Sequence, residues 1–244
     1  MLRFVSPLVS IVAPVYNEAE NIAQFVRGIE ANILEPHETL IIYDFPEDNT
    51  IPVIKGMGEE AKNVRLVHNT LGKGVLNAIK AGFAASKGDV IVFMAADCAD
   101  EPADVPPMVK LIREGADVVA GSRYMPGGAQ HGKKLFKQFL SKFAGLTLHH
   151  FAGLPTHDAT NNFRAYSRRV IELPIETTAS FALGIELVVK AHARGWVIKE
   201  IPSTWKDRVG GESRFRLFAW LPEYLKWYFM AYRYAWFPGK KPRS

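Results

Sequence analysis

The chain carries the stretch GDVIVFMAADCADEP at residues 88–102. It begins with a small-residue turn, continues through apolar residues and ends abruptly in acids. A continuous apolar run bounded by turn signals is typical of a strand buried on both faces. Ligands of open α/β sheets bind beyond the carboxyl ends of such strands, so Asp97 and Asp100 stand where a metal-bound phosphate group would be held. The alternative is an acidic loop before the next helix, which Asp104 would cap ahead of Pro106.

Strand and helix patterns alternate on both sides of this stretch. Apolar runs suitable for strands are separated by stripes of apolar residues at helical spacing. This alternation predicts an α/β fold with a mostly parallel central sheet and helices on both faces. The strands are predicted at residues 8–13, 39–43, 64–67, 89–94 and 117–122, with a short return strand at 161–166 and a late strand at 196–201. Asn17 and Glu20 resemble a capping box at the start of the first helix.

The length of 244 residues allows one large α/β domain followed by a C-terminal extension. We assign residues 1–210 to the domain and residues 211–244 to the extension. Residues 215–236 are predicted to form an amphipathic helical segment that Pro222 interrupts. Its aromatic and basic residues favour an anchor on an anionic membrane surface. The alternative is a helix pair packed on the sheet or on another subunit.

The net charge of +5 suits an anionic partner such as a lipid surface, a phosphorylated substrate or nucleic acid. No recognisable nucleic-acid module is present, so no nucleic acid is expected as a partner.

Cys98 is the single cysteine, which excludes an intramolecular disulfide and fits a reducing cytoplasm. We expect no secretory signal and no transmembrane helix, so that any membrane contact is peripheral, on the cytoplasmic face.

Several common catalytic patterns are absent from the sequence. LGKG at residues 71–74 lacks the P-loop spacing, no Gly-x-Gly-x-x-Gly follows the first strand, and no Gly-x-Ser-x-Gly elbow occurs. The histidines show no metal-ligand spacing, and we interpret His149, His150 and His157 as helix-surface and loop residues.

Acids recur where the predicted strands end. Glu18 follows the first strand, Asp44 the second and Asp97 the fourth, and Lys73 stands near a helix start. Because the carboxyl ends of parallel strands share one edge of a sheet, these side chains should converge on one cleft. Glu18 and Asp44 would bind a base and ribose there, and Asp97 a metal–diphosphate. For Glu18 the alternative is a helix N-terminal acid stabilised by the macrodipole.

Six short motifs follow one another along the chain: APVYNE at residues 13–18, LGKG at 71–74, the stretch 88–97, GSRY at 121–124, DATNNFRAY at 158–166 and DRVGGESR at 207–214. In this order they resemble the inverting GT-A glycosyltransferases of the dolichol-phosphate mannose synthase kind, over about residues 8–215. The resemblance implies a GT-A fold. It also implies transfer of a hexose from a nucleotide diphosphate sugar to a polyprenyl phosphate.

The resemblance further implies roles for individual residues. Asp97 and Arg123 would be the catalytic residues, and Asp97 with Asp100 would hold a divalent cation, Mg²⁺ or Mn²⁺. The expected nucleotide-sugar contacts are Pro14, Tyr16, Glu18, Asp44, Lys73 and Asp97. The expected contacts of the acceptor phosphate are Arg123, Lys137, Ser141, Arg208 and Arg214, because guanidinium groups suit phosphate and Gly210 and Gly211 permit loop closure.

The chain also departs from this family's pattern. Tyr43–Asp44 replaces the usual pair of acids at the second strand end, and Phe45–Pro46 replaces a Gly-Ser turn. Ala95 stands at the first acid of the Asp-x-Asp metal motif, Ala99 at a further ligand position, and Lys137 where an arginine is expected. These departures bear on metal affinity and on the choice of base and sugar.

Three functions are compatible with this pattern. The leading hypothesis is a polyprenyl-phosphate hexosyltransferase at a membrane surface, as a possible homo-oligomer or with a membrane-protein partner. The second is a transferase with a different glycan or lipid acceptor, and the third a non-catalytic sugar-nucleotide binding or scaffold protein.

Three residues keep a structural alternative: Lys137 as a solvated helix residue, Arg164 as an ion-pair partner of Asp158, and Glu186 as a satisfied buried acid.

Overall fold

The computed structural model describes residues 8–132, 135–207 and 217–237, without the side chains of residues 135–137 and 217–220. The strands are β1 (Val9–Pro14), β2 (His37–Tyr43), β3 (Val64–His68), β4 (Val90–Phe93), β5 (Val118–Ser122), β6 (Ala129–His131), β7 (Arg164–Ser167), β8 (Ile198–Pro202) and β9 (Thr204–Lys206). The helices are α1 (Ile22–Asn32), α2 (Thr50–Gly56), α3 (Val75–Ala85), α4 (Val105–Arg113), α5 (Leu135–Ala152), α6 (Arg168–Ile171), α7 (Leu183–Ala193) and α8 (Leu217–Trp236).

The central sheet has seven strands in the order β3-β2-β1-β4-β7-β5-β8. All neighbours are parallel except β7, which runs antiparallel to both β4 and β5. β6 and β9 form a separate two-stranded parallel sheet. The predicted mostly parallel sheet is therefore confirmed, and the return strand lies between β4 and β5. Its start, Arg164, lies at the sheet edge where the parallel strands end.

The sheet is buried on both faces by helices. Alternate residues of β1 enter different clusters: Val12 packs with residues of α3, α5, α7 and α8, and Ile11 packs with residues of α1 and α4. All four residues of β4 are buried, as expected for the apolar run within residues 88–102. Gly82 lets α3 approach closely, because a Cβ there would lie 2.5 Å from Val12 Cγ1.

Helix α8 corrects one prediction about the C-terminal segment. Pro222 lies inside a continuous helix and does not interrupt it. Trp227 and Ala231, both 1% exposed, join the core cluster that α5 and α7 also line. Burial of this face outweighs the roughly 3 kcal/mol that an internal proline costs a helix. The predicted boundary at residue 210 lies outside the described residues.

The capping box predicted for α1 is wrong. The helix begins at Ile22, and Asn17 adopts a left-handed backbone with φ 56° in the loop before it. The Asn17 N–H donates to Asp48 (3.0 Å) and the Glu18 N–H to Thr50 Oγ1 (2.9 Å). The loop after β1 is thereby fixed to the loop after β2. None of the helices within the described ranges is both long enough and apolar enough to cross a bilayer.

Candidate active site

The three acids predicted to converge follow neighbouring strands. β2, β1 and β4 are adjacent and parallel, so Asp44, Glu18 and Asp97 leave the same edge of the sheet. Pro14 is the last residue of β1 and marks this edge. The three acids therefore follow strands that end at one edge of the sheet, as expected, and we call the space beyond this edge the cleft.

One end of this cleft is aromatic. The rings of Tyr16 and Phe45 meet edge to face with centroids 5.3 Å apart, and Tyr16 is 43% exposed. Lys73 Nζ lies 6.0 Å from the centroid of Phe45. Phe45 thus contacts both Tyr16 and Lys73. The sequence analysis named Phe45 only as a replacement in the family's Gly-Ser turn. An exposed aromatic pair beside a cation offers a stacking surface for a base and a charge for its phosphates.

Asp44 has a second task besides any ligand contact. Its carboxylate accepts hydrogen bonds from Asn69 Nδ2 (2.7 Å) and from the Gly74 N–H (2.8 Å). Gly74 has φ 123°, a conformation that favours glycine, and it directly precedes α3. Asp44 therefore holds the loop that carries Lys73.

Glu18, Asp97 and Cys98 lie close together in the middle of the cleft. Glu18 accepts a hydrogen bond from Asn21 Nδ2 (2.8 Å). Burial, followed by the charges of Asp97 and Glu18, raises the pKa of Cys98 to about 11. The thiol is therefore protonated at neutral pH, which makes it a poor nucleophile.

Asp97 and Asp100 form the candidate cation site. Asp97 is half-buried and accepts a hydrogen bond from the Ala99 N–H (3.2 Å). Asp100 is 8% exposed, and its Oδ1 atom has no hydrogen-bond partner in the described part of the chain. Burial and the charge of Asp97 raise the pKa of Asp100 to about 7. Two carboxyl groups that repel each other, one with an orphaned oxygen, fit a hard divalent cation.

This cation site is sparse. Within the described ranges, no three or more His, Cys, Asp or Glu side chains are grouped so as to hold a metal. This agrees with the departures noted in the sequence, where Ala95 stands at the first acid of the Asp-x-Asp motif and Ala99 at a further ligand position. A cation bound to Asp97 and Asp100 would complete its coordination with water and with the oxygens of a diphosphate.

The other end of the cleft contains the Arg123 cluster, which consists of Arg123, Asp158, Ser141, Thr160 and Tyr124. Arg123 Nε donates to Asp158 Oδ2 (2.7 Å) and Arg123 Nη2 to Asp158 Oδ1 (3.0 Å). Nη2 also contacts Ser141 Oγ (3.2 Å) and Thr160 Oγ1 (2.9 Å). The guanidinium stacks on the Tyr124 ring, 4.9 Å from its centroid. Of the five residues predicted to contact an acceptor phosphate, Arg123 and Ser141 are in direct contact with each other.

Charge pairing governs the electrostatics of the Arg123 cluster. Burial acts against both ions, but their mutual attraction dominates, so the pKa of Arg123 is raised and the pKa of Asp158 is lowered. Both side chains are therefore ionised across the neutral range. Asp158 is fully buried and Arg123 is 10% exposed at its side chain, so the guanidinium is held rigidly at the cleft.

The turn that carries Asp158 is fixed by β8. Glu200 of β8 accepts hydrogen bonds from Thr156 Oγ1 (3.0 Å) and from the His157 N–H (2.8 Å). His157 Nδ1 lies 2.5 Å from Glu200 Oε1, and its ring stacks on His149 with centroids 3.9 Å apart. The late strand thus positions the counter-ion of Arg123.

A family model of known proteins matches this chain over residues 10–173, more than half of its length. The model is that of glycosyl transferase family 2. The chain belongs to glycosyl transferase family 2. The matched range contains every strand of the central sheet except β8, and it contains both ends of the cleft. The family predicted from the motifs is therefore confirmed.

Two curated relatives share more than a quarter of the sequence. A dolichol-phosphate mannosyltransferase of Pyrococcus furiosus is 28% identical over 214 residues, which cover 85% of this chain and 59% of the relative. A polyprenol monophosphomannose synthase of Mycolicibacterium smegmatis is 29% identical over 211 residues, covering 84% and 79% respectively. The chain spans about three fifths of the length of the Pyrococcus relative.

Solved structures share the fold at low sequence identity. Glucosyl-3-phosphoglycerate synthase from Mycobacterium tuberculosis, in complex with Mn²⁺, UDP and glucosyl-3-phosphoglycerate, has a TM-score of 0.67 and 16% identity. The match covers 98% of this chain and 82% of that one. The same enzyme in complex with Mg²⁺ and UDP has a TM-score of 0.66 and 18% identity, with the same coverage of both chains. The GT-A fold expected from the sequence is confirmed by these likenesses.

The remaining predicted site residues have different outcomes. The side chain of Lys137 and the whole of Arg208 and Arg214 lie outside the described residues. Arg164 does not pair with the Asp158 carboxylate, because Arg123 occupies it, and the Arg164 contact is to the Asp158 carbonyl oxygen (2.9 Å). Glu186 is a satisfied buried acid that accepts bonds from two backbone N–H groups and from Lys190 Nζ (2.6 Å).

Sequence reasoning missed the supporting residues of the Arg123 cluster. Asp158 stood in a quoted motif, and the Asp-x-Thr turn it begins was the available signal: Asp158 Oδ1 accepts from the Thr160 N–H (3.2 Å). Tyr224 gave no such signal. It lies on α8, and its hydroxyl donates to the Thr160 carbonyl oxygen (3.1 Å), which joins the C-terminal helix to the site.

Proposed function

We propose that this family 2 glycosyltransferase moves a hexose from a nucleotide diphosphate sugar to a polyprenyl phosphate, with inversion at the anomeric carbon. The observation that carries the proposal is the Arg123 cluster, a rigid guanidinium with hydroxyl neighbours at the far end of the cleft from the Tyr16–Phe45 pair. The cleft has a nucleoside end and an anion end, as a transferase of this kind requires. The names of the two curated relatives support the same acceptor class.

The proposed reaction needs no strong general base. An acceptor phosphate is an anion at neutral pH, and its oxygen forms the new bond to the anomeric carbon as the bond to the diphosphate oxygen breaks. The nucleoside diphosphate leaves with the electron pair of the broken bond. Arg123 and Ser141 would position the attacking phosphate, and Tyr16, Lys73 and Asp44 would position the donor. The contribution of the protein is then orientation and charge stabilisation.

A divalent cation fits the acid pair after β4. Asp97 and Asp100 would hold Mg²⁺ or Mn²⁺, which neutralises a leaving diphosphate when it is bound. The crystal structures of the synthase with UDP and Mn²⁺ or Mg²⁺ support this choice of ion. Glu18 stands beside Asp97 and would contribute negative potential to the same region.

The acceptor end lies beside a surface suited to a membrane. We call the exposed apolar residues of α5 and α8 the aromatic face: Phe139, Phe143, Phe151, Leu221, Leu225, Phe229 and Trp236. The two helices are joined by hydrogen bonds from Tyr232 OH to the Thr147 carbonyl (3.1 Å) and from Trp236 Nε1 to the Phe151 carbonyl (3.3 Å). Exposed Lys142, Lys226 and Arg233 accompany these residues. Aromatic and basic side chains together suit the interface of an anionic bilayer.

This face connects the membrane proposal to the acceptor proposal. Tyr224 of α8 bonds to Thr160 of the Arg123 cluster, so the helix that carries half of the aromatic face also contacts the anion end of the cleft. A lipid-linked phosphate held by Arg123 could keep its prenyl chain in the bilayer. We therefore propose a peripheral protein on the cytoplasmic face of the membrane, in which residues 1–210 carry the catalytic groups and α8 packs on them as part of the same core.

The acceptor class is tested by comparing three acceptors with the same donor. We expect sugar transfer to a short-chain prenyl phosphate, and none to the corresponding prenyl alcohol or to a free monosaccharide, measured by mass spectrometry over a panel of nucleotide sugars with Mg²⁺ or Mn²⁺. Transfer to the monosaccharide alone would favour a glycan acceptor. Nucleotide binding without any transfer would favour a non-catalytic protein.

A further inference from the structure

Arg164 is a fully buried cation whose charge has no obvious purpose in the fold. Its side chain is 0% exposed, and its Nη2 atom donates to the Asp158 carbonyl oxygen (2.9 Å). Its Nε and Nη1 atoms have no hydrogen bond of ordinary geometry in the described part of the chain, and the side chain also interacts with the buried Tyr166 hydroxyl. No carboxylate of the described residues forms an ion pair with it. Burial of a guanidinium in this condition costs free energy, so a compensating benefit is expected.

The surroundings are shaped to hold this guanidinium. Arg164 begins β7, and α7 passes beside it at Gly184. A Cβ on Gly184 would lie 2.2 Å from Arg164 Nη1 and 2.3 Å from Asn162 Oδ1. The Asn162 amide oxygen accepts a bond from the Gly184 N–H (3.1 Å), which fixes that close approach. The pocket in which Arg164 lies is therefore specific and not a gap that any long side chain would fill.

Arg164 lies within electrostatic reach of the Arg123 cluster. Burial raises the pKa of Tyr224, and the positive charges of Arg164 and Arg123 act against this rise. Among the described residues, the charges that act on Tyr224 include the Arg123 and Arg164 guanidinium groups and the Asp158 carboxylate, and Asp100 is a further acid whose pKa Arg123 affects. Asp100 belongs to the proposed cation site, so a bound cation would offset its charge.

The charge balance of the Arg123 cluster gives Arg164 a role. A guanidinium paired bidentately with a buried carboxylate is electrically close to neutral and attracts an anion weakly. Asp158 holds Arg123 in place, but by itself it would cancel the charge that a phosphate needs. A second buried cation, held at the Asp158 carbonyl oxygen, offsets that carboxylate and restores a net positive charge at the cleft.

We propose that Arg164 is a positioning residue that counters the charge of Asp158, so that Arg123 keeps a net positive charge for an anionic acceptor group. The inference rests on the proposed function for the identity of that group, a prenyl phosphate. Arg164 itself is enclosed and does not touch the acceptor.

The test measures binding separately from transfer. Calorimetry with geranyl phosphate as the probe is compared for the wild-type protein, Arg164→Met, Arg164→Gln and Arg164→Lys. Glutamine can keep a hydrogen bond to the Asp158 carbonyl and removes the charge, and it serves as the neutral variant if methionine does not fold. Arg168→Met is the matched control, since Arg168 also bonds backbone carbonyls, those of Gly88 and Ser86, but at the opposite edge of the sheet.

We expect the neutral variants to bind geranyl phosphate about 10-fold more weakly or worse, while Arg164→Lys and Arg168→Met stay within about 3-fold of wild type. Affinity for the nucleotide diphosphate should change less than about 2-fold in all folded variants. Equal geranyl phosphate affinity in Arg164→Gln and wild type, or an equal loss in Arg164→Lys and Arg164→Gln, would overturn the inference. Wild-type binding without sugar transfer would overturn the proposed function and leave the charge role of Arg164 supported.

Discussion

Asp97 is the residue on which the cleft depends most. It follows the buried strand β4. Its charge raises the pKa of Asp100 and, together with the charge of Glu18, the pKa of Cys98. The Asp-x-Asp pattern has no second acid here that could replace it. Loss of its carboxylate should leave the sheet intact, because the side chain is only half-buried.

The first prediction concerns Asp97→Ala. We expect kcat/KM for sugar transfer to fall more than about 100-fold, since loss of even an outer partner of a metal site costs 10- to 100-fold. The thermal unfolding midpoint should change little. The matched control is Asp89→Asn, at the opposite end of β4, which should keep wild-type turnover. Unchanged turnover in Asp97→Ala would contradict the role given to it.

The second prediction concerns the pH dependence of stability that Asp100 causes. Its pKa of about 7 in the folded protein is higher than the ordinary value of 3.8, so the folded state holds the proton more tightly than the unfolded state. As the pH rises from about 4 to 7, ionisation of the Asp100 carboxyl therefore lowers the free energy of unfolding by a growing amount. Asp100→Asn removes the effect.

Urea unfolding in EDTA at pH 5 and pH 8 checks this expectation. The stability of Asp100→Asn relative to wild type should be greater at pH 8 than at pH 5. A stability difference that is the same at both pH values would show that the Asp100 carboxyl does not titrate abnormally.

Sequence reasoning at this scale identified charged residues more reliably than their partners. Arg123 and Ser141 were selected together, and they are in contact. Arg164 was the alternative considered as ion-pair partner of Asp158, but the Asp158 carboxylate is bonded by Arg123. An ion pair between residues 35 positions apart depends on the order of strands, and a single sequence does not contain that order in any local pattern.

At the scale of elements, α8 is an integral part of the fold. It packs on α5 and α7 and places Trp227 in the core, where Lys190 Nζ also lies 5.0 Å from the Trp227 ring centroid. The same helix reaches the site through Tyr224. A segment that the sequence marks as a basic and aromatic extension thus stabilises the domain and borders the acceptor end.

The third prediction follows from that packing. Trp227→Ala should lower the free energy of unfolding by about 3–5 kcal/mol, the usual cost of removing a buried aromatic side chain. Trp236→Ala in the same helix is the matched control, and as its ring is 63% exposed it should cost less than about 1 kcal/mol. Equal effects of the two substitutions in urea unfolding would mean that α8 does not pack through Trp227.

The strands were easier to predict from the sequence than the order in which they pair. Apolar runs predicted β1, β2, β4 and β5 to within a few residues, because strands buried on both faces are continuously apolar. The insertion of β7 between β4 and β5, and the small sheet of β6 and β9, carry no such signal. The predicted break at Pro222 was wrong, because tertiary packing of α8 overrides the local tendency of proline to end a helix.

At the scale of the whole molecule, the two helices that expose the aromatic face also contact the anion end of the cleft. Ser141 of α5 is bonded by Arg123, Tyr224 of α8 bonds Thr160, and both helices expose large apolar side chains. A protein that takes its acceptor from a bilayer needs this combination. The fourth prediction tests whether the aromatic face binds lipid.

A Phe139→Ser, Phe143→Ser, Phe229→Ser triple variant should partition at least about 10-fold more weakly onto vesicles that contain anionic lipid, because each aromatic ring contributes apolar area to the interface. The control variant carries Leu34→Ser and Val197→Ser, two exposed apolar residues outside α5 and α8. Sedimentation with vesicles measures both. Equal partitioning of the two variants would exclude the aromatic face as the membrane contact.

The central claim is that an acceptor phosphate attacks the sugar directly and inverts it. The most direct measurement is the anomeric configuration of the product formed from a nucleotide diphosphate sugar and a short-chain prenyl phosphate, determined by NMR. We expect a single sugar–phosphate–prenyl product whose anomeric configuration is opposite to that of the donor. A product with the donor's configuration, or release of free sugar with no prenyl phosphate product from any donor, would contradict it.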